Sequence, residues 1–167
     1  IAGAQTVLQH LEPETVLGVA WGRTMAALGL ALPERTMRQM RVVQVSGSSL
    51  GDEASSPEAC TLQIAARLGA ICRNFHAPAV VTDPSLRDAL LAEPSLVKQF
   101  DRIRSCTIVV FGVGELNEMT RWADGEILIR PNAETYRRNG STGILIGRFI
   151  GSNGIEVDGP LSGGQIG

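Results

Sequence analysis

Val16-Leu17-Gly18-Val19-Ala20-Trp21-Gly22-Arg23-Thr24 decides how this chain folds. Its first half is a nearly unbroken apolar run, the pattern of a strand covered on both faces in a parallel sheet. It then passes straight into a helix expected over Thr24–Leu32, which Pro33 ends. Gly22 permits a tight turn and close approach to the backbone. The helix start aims unpaired N–H groups and the positive end of its dipole back at that turn. Arg23 adds a fixed charge whose planar fork suits phosphate. The junction is therefore expected to hold a phosphorylated small molecule.

The same alternation continues on either side. Ile1, Ala4, Val7, Leu8 and Leu11 fall at helical spacing ahead of the strand. Arg41–Val45 reads as a second strand with a polar, glycine-containing tip, Ser46 to Gly51. Ser56-Pro57-Glu58 starts a helix with a capping serine, proline at the first position and an acid in the first turn; Gly69 stops it. A short strand is expected within Ala70–Phe75, then helices from Pro84 to about Leu91 and from Pro94 to about Ile103. Cys106–Phe111 is the strongest strand signal and ends in Gly112-Val113-Gly114-Glu115. Gly140-Ser141-Thr142-Gly143 precedes an apolar segment, Ile144–Ile150. Gly151-Ser152-Asn153-Gly154 reads as a turn between two strands, with Ile155-Glu156-Val157 on the far side. Alternating strands and helices predict a layered α/β domain, with a mostly parallel sheet and helices on both faces. Ligands of such sheets bind beyond the carboxyl ends of the strands. The tips at Gly22, Gly47 and Gly112/Gly114 are expected side by side on one rim.

The totals narrow the function. The 167 residues suffice for one domain with a real core, and 44% hydrophobic with 19% charged residues excludes a disordered chain. Aromatics at 4% do not make a base-stacking platform, and a net charge of −2 without a basic run gives no nucleic-acid face. Cys60, Cys72 and Cys106 form no C-x-x-C pair, which fits free thiols in a reducing cytoplasm. No stretch reaches the ~18 apolar residues of a membrane span, so no membrane partner is expected. Ile1 opens inside a helical pattern and residues 159–167 close no element, so residues 1–167 are expected to be a fragment of a longer polypeptide, a single domain cut short at its C-terminal end.

Catalytic motifs are scarce. The position where a dinucleotide fingerprint needs a third glycine after Gly112 and Gly114 holds Asn117, and no Walker sequence occurs, so no cofactor is expected. Lys98, the only lysine, falls inside a helix and away from every strand tip, which leaves no Schiff-base group at the rim. His10 reads as solvated and His76 as a half-buried packing residue ahead of a ligand contact or a base, and no G-x-S-x-G elbow is present. Asp52, Glu53, Asp83 and Glu115 are the rim carboxylates available for proton transfer. Asp83 also reads as a helix cap. Glu115 reads either as an acceptor for sugar hydroxyls or as a loop acid. Arg23 has the alternative of a surface ion pair, and Trp21 that of a core residue. Arg137-Arg138 reads as a solvated pair or a second phosphate clamp.

Leu17-Gly18-Val19-Ala20-Trp21-Gly22-Arg23-Thr24 resembles the hGhxWGxT element of the SorC family of bacterial transcriptional regulators. The similarity continues through Val42–Gly47, Ala77-Pro78-Ala79, Val109–Gly114, Gly140–Gly143, Gly147-Arg148-Phe149 and Asn153-Gly154, covering nearly the whole chain. The resemblance implies the fold of ribose-phosphate isomerase and glucosamine-phosphate deaminase. It also implies a non-catalytic domain that binds a sugar or sugar-phosphate effector. Such a domain follows a helix-turn-helix that contacts operator DNA, and the oligomer is a homodimer or homotetramer. Carried over by position, the effector site comprises Gly22, Arg23, Thr24, Gly47, Ser48, Gly112, Gly114, Glu115 and Ser141. The family usually has Gly-Ala-Val-Gly where this chain has Gly140–Gly143, and its later A-G-G-x-x-K segment has no counterpart here. A sugar-phosphate isomerase or deaminase on the same fold, using Asp83 with Glu115, is the alternative. An interaction domain with a vestigial pocket is a third reading.

Overall fold

The computed structural model describes residues 2–48, 53–116 and 129–167. Helix α1 (Ala2–Gln9) precedes strand β1 (Val16–Val19), all four residues of which are buried. Helix α2 (Arg23–Ala31) follows at once. Strand β2 (Arg41–Gln44) leads through a 3-10 turn (Glu53–Ser55) to helix α3 (Pro57–Leu68). The side chain of Ser56 caps α3 by accepting from Ala59 N at 3.2 Å. Gly69 closes it in the left-handed region at φ 58°. Strand β3 (Ile71–Arg73) is followed by helices α4 (Pro84–Ala92) and α5 (Pro94–Arg104), each with proline in its first turn. Strands β4 (Ile108–Val110) and β5 (Val113–Glu115) come next. Helix α6 (Ile129–Arg138) and strands β6 (Ser141–Leu145) and β7 (Arg148–Gly151) complete the elements.

The first sheet has four parallel strands in the order β3-β2-β1-β4. β1 lies between β2 and β4, which sets the three tips next to one another, as the alternation predicts. The sheet's apolar side chains enter a core shared with the helices. Leu17, Val19 and Val42 join Met25, Cys60, Ile64 and Leu68 beneath α2 and α3. A second cluster, Phe75, Ala77, Leu96 and Ile166, has Phe100 and Ile103 of α5 packed against it.

The second sheet is antiparallel, in the order β5-β6-β7. Here the structure corrects the sequence reading in three places. Val113-Gly114-Glu115 is a strand paired with Gly143–Leu145, not part of a loop at the rim. The apolar run Ile144–Ile150 is two strands, folded back through a two-residue turn at Ile146-Gly147. Gly151–Gly154 does form a turn, but Ile155-Glu156-Val157 beyond it is an isolated bridge, Glu156 to Ile150, rather than a full strand. A further cluster holds this sheet to α6: Tyr136 stacks on Phe149 with centroids 3.7 Å apart and planes within 2°. Cys106–Phe111, the strongest strand signal, shortens to three residues at the edge of the first sheet, with Val109 and Phe111 exposed. Residues 159–167 are expected to close no element, yet Leu161, Gln165 and Ile166 are buried.

Candidate functional site

The β1–α2 turn is the chemical focus of the rim. Gly22 sits at φ 102° as the residue before α2, a conformation that favours glycine. As a glycine, Gly22 offers no side-chain cap to this helix start. Gly22 N donates to Ser55 O at 3.0 Å, which ties the turn to the segment entering α3. No described residue accepts from the N–H groups of Arg23 or Thr24. Those two groups and the helix dipole remain available to an anion. Arg23 and Thr24 are exposed, and among the described residues Arg23 forms no ion pair, so the surface-pair alternative is not realised there.

Gly112 comes to this turn from the neighbouring strand. A Cβ at Gly112 would lie 3.6 Å from Cβ and 3.7 Å from Oγ1 of Thr24. The structure thus brings Gly22, Arg23, Thr24 and Gly112 together.

Other expected site residues have different surroundings. Gly47 is buried and its N–H donates to Ile166 O at 3.0 Å. A Cβ there would meet the carbonyl oxygen of Pro78 at 2.3 Å, so glycine is needed for packing. Ser48 is bonded through its backbone in both directions, to Ala77 O and from Ala79 N, each at 2.7 Å. Its hydroxyl reaches Phe75 O at 3.4 Å. Gly114 and Glu115 lie in β5, exposed, opposite Ile144 and Gly143. Ser141 is buried, with Oγ 3.1 Å from Gly143 O and 3.2 Å from Ile150 O, and so braces the hairpin.

The remaining charged candidates are engaged elsewhere. Asp83 caps α4, accepting from Ser85 N and Ser85 Oγ at 2.8 Å. The side-chain bond from Ser85, followed by its backbone N–H, holds this carboxyl below the usual range. Arg137 and Arg138 both pair with the exposed Glu134 at 2.9 Å, as in the solvated-pair reading. Those same bonds, that of Arg137 first, lower the Glu134 carboxyl. His76 is exposed rather than half-buried; its backbone N–H donates to Gln99 Oε1 at 2.7 Å. Asp52 lies outside the described residues, as do the side chain of Glu53 and the Ser49–Gly51 part of the second tip.

Sequence reasoning missed the surroundings of Trp21. Gly147, at the hairpin turn, packs against its indole, and the buried Gln165 binds Gly147 O at 3.0 Å. The sole local signal was a glycine followed by arginine in the middle of an apolar run.

The four-stranded parallel sheet with helices packed against it is an α/β domain of the ribose-phosphate isomerase-like fold. Residues 1–167 match the family described as "Putative sugar-binding domain", and the chain belongs to that family. It is 31% identical over 156 residues to the transcriptional regulator YjhU of Escherichia coli K12, covering 93% of this chain and 48% of that protein. It is 23% identical over 167 residues to the erythritol catabolism regulatory protein EryD of Brucella abortus, covering 99% and 53%. The crystal structure of the full-length sorbitol operon regulator SorC from Klebsiella pneumoniae superposes with a TM-score of 0.89 at 22% identity, over 99% of this chain and 54% of that one. The chain therefore spans about half the length of these relatives. No described helix is long and apolar enough to cross a membrane.

Proposed function

We propose that this chain is the effector-binding domain of a bacterial transcriptional regulator and that a phosphorylated sugar or polyol docks on the β1–α2 turn. The observation that carries the reading is the start of α2: among the described residues the N–H groups of Arg23 and Thr24 have no acceptor and Arg23 has no ion pair, and Gly22 sits at φ 102°. Phosphate fits such a site because it meets N–H donors, a helix dipole and a guanidinium together. The names of the relatives, an erythritol catabolism regulator and a sorbitol operon regulator, support a polyhydroxy effector. In this reading DNA is contacted by a separate helix-turn-helix outside residues 1–167. The working unit is a cytoplasmic homodimer or homotetramer, and the domain performs no catalysis.

The test is calorimetric titration with a panel of sugar and polyol phosphates, each beside its unphosphorylated parent. At least one phosphate is expected to bind more tightly than its parent. Arg23→Gln is expected to weaken it by about tenfold or more, the loss of one hydrogen bond to a charged group. If no phosphorylated compound binds better than its parent, the assignment of this turn is wrong. The isomerase or deaminase alternative needs a carboxylate pair, and Asp83 is already occupied at the start of α4. Turnover of a sugar phosphate that disappears in Glu115→Gln would restore that alternative.

A further inference from the structure

The geometry points to Trp21 as a positioning residue. The tip of the β6–β7 hairpin, locked from behind by the buried Gln165, presses Gly147 against the indole and so fixes the Gly22–Thr24 turn. This inference rests on the reading of that turn as the effector site.

The tip is held in a demanding conformation. β6 and β7 are joined by Ile146 at φ 49° and Gly147 at φ 77°. Positive φ is costly for a β-branched residue and persists where the surroundings over-determine it. Those surroundings are explicit. Gln165 Nε2 donates to Gly147 O at 3.0 Å, and Gln165 Oε1 accepts from Arg148 at 3.3 Å. Arg148 also donates to Gly167 O at 2.7 Å and to the Glu156 carboxylate at 3.0 Å. The carbonyl of Gln165 in turn accepts from Arg87 Nε at 2.9 Å. The hairpin tip is thus tied to the C-terminal segment and to α4.

On its other side the tip has no slack. A Cβ at Gly147 would lie 3.1 Å from Cη2 and 3.5 Å from Cζ2 of Trp21. The indole is packed against the core beneath α2 and α3. It therefore lies between a close-packed core and a clamped hairpin, and the next residue is Gly22. Close-packed groups transmit displacement rather than absorb it. A binding geometry is only as exact as the shell supporting it. Moving the indole moves Gly22 and the N–H groups that follow.

Two glycines separate this contact from backbone strain. Gly147 and Gly154 both sit at φ 77°, but nothing lies within 4 Å of a Cβ built on Gly154. Alanine at either position meets the same conformational penalty, and only Gly147→Ala meets Trp21. The readout is amide exchange at Gly22, protected by Ser55 O, relative to Cys60, protected by Ser56 O within α3. In the full chain, Gly147→Ala is expected to speed Gly22 exchange by about tenfold or more, as expected for one weakened hydrogen bond, with Cys60 little changed. Gly154→Ala is expected to leave the Gly22-to-Cys60 ratio as in the parent protein. Titration with inorganic phosphate and sugar phosphates gives the second arm, with about tenfold weaker binding in Gly147→Ala alone. Equal Gly22 exchange in the two variants overturns the inference. A Gly22 difference with no phosphate binding in any protein upholds the positioning role and rejects the effector reading. Should Gly147→Ala fail to fold, Gln165→Leu removes both side-chain bonds to the tip and reports on the same amide.

Discussion

Replacing Gly47 by alanine tests whether this residue serves packing or the ligand, because the two roles predict different losses. A Cβ at Gly47 would lie 2.3 Å from O and 2.4 Å from C of Pro78, and 2.5 Å from N of Ala79. Ordinary contact begins near 3.4 Å, so the Pro78-Ala79 backbone must withdraw by about 1 Å. That backbone is bonded to the very next residue: Ser48 N to Ala77 O and Ala79 N to Ser48 O, both at 2.7 Å. A withdrawal of about 1 Å takes both beyond hydrogen-bonding distance. Two backbone hydrogen bonds at about 1 kcal/mol each, with about 1–3 kcal/mol for overpacking, give a loss of about 3–5 kcal/mol. At roughly 2–4 °C per kcal/mol for a domain of this size, the melting temperature falls by roughly 10 °C. Urea unfolding followed by circular dichroism measures this. Gly140→Ala is the control, since Gly140 has φ 97° with nothing within 4 Å, and isolates backbone strain of about 1–2 kcal/mol. A Gly47→Ala loss no larger than that of the control would refute the packing argument and return Gly47 to the effector site.

Three further outcomes are expected. Tyr136→Phe keeps the ring on Phe149 but leaves the N–H of Leu161, bonded to Tyr136 Oη at 2.9 Å, without its partner; chemical denaturation should show a loss of about 1–3 kcal/mol. Ser141→Ala should cost about 1 kcal/mol in the same assay and leave effector affinity unchanged, because the hydroxyl faces Gly143 O and Ile150 O; a selective loss of affinity would make it a ligand contact. The Asp83 carboxyl is held low in the folded protein by Ser85, so its stabilisation is full above the unfolded aspartate value of about 3.9 and is lost as pH falls through the lower folded value. The stability gap between the parent and Asp83→Ala should therefore be constant near neutrality and close on acidification below about pH 4; a gap independent of pH would remove Asp83 as the charged cap.

The signals legible in the chain were those acting over a few residues. Ser56-Pro57-Glu58 and Asp83-Pro84 set helix starts because capping satisfies N–H groups within one turn. The apolar run Val16–Val19 made a buried central strand because nothing else hides four consecutive non-polar residues so simply. With Gly22-Arg23-Thr24 close behind it, the strand–helix turn proposed to take an anion could be named before any contact was known.

What surrounds each of those residues was decided by partners distant in sequence. Gly114 and Glu115 looked like a strand-tip loop and became a strand because Gly143 and Ile144 pair with them. Gly47 looked like a ligand glycine and proved to be one that Pro78 leaves no room to enlarge. Ser141 turned inward to brace its own hairpin. Trp21 carried no sign that Gly147 and Gln165 would meet behind it. Propensity, capping and hydrophobic period are local energies, and the sequence by itself therefore determined the alternation of elements and the chemistry of the β1–α2 turn. Steric exclusion and hydrogen-bond pairing between remote segments exist only once the chain is packed, and they alone decided which residues stand at that turn and which hold it in place.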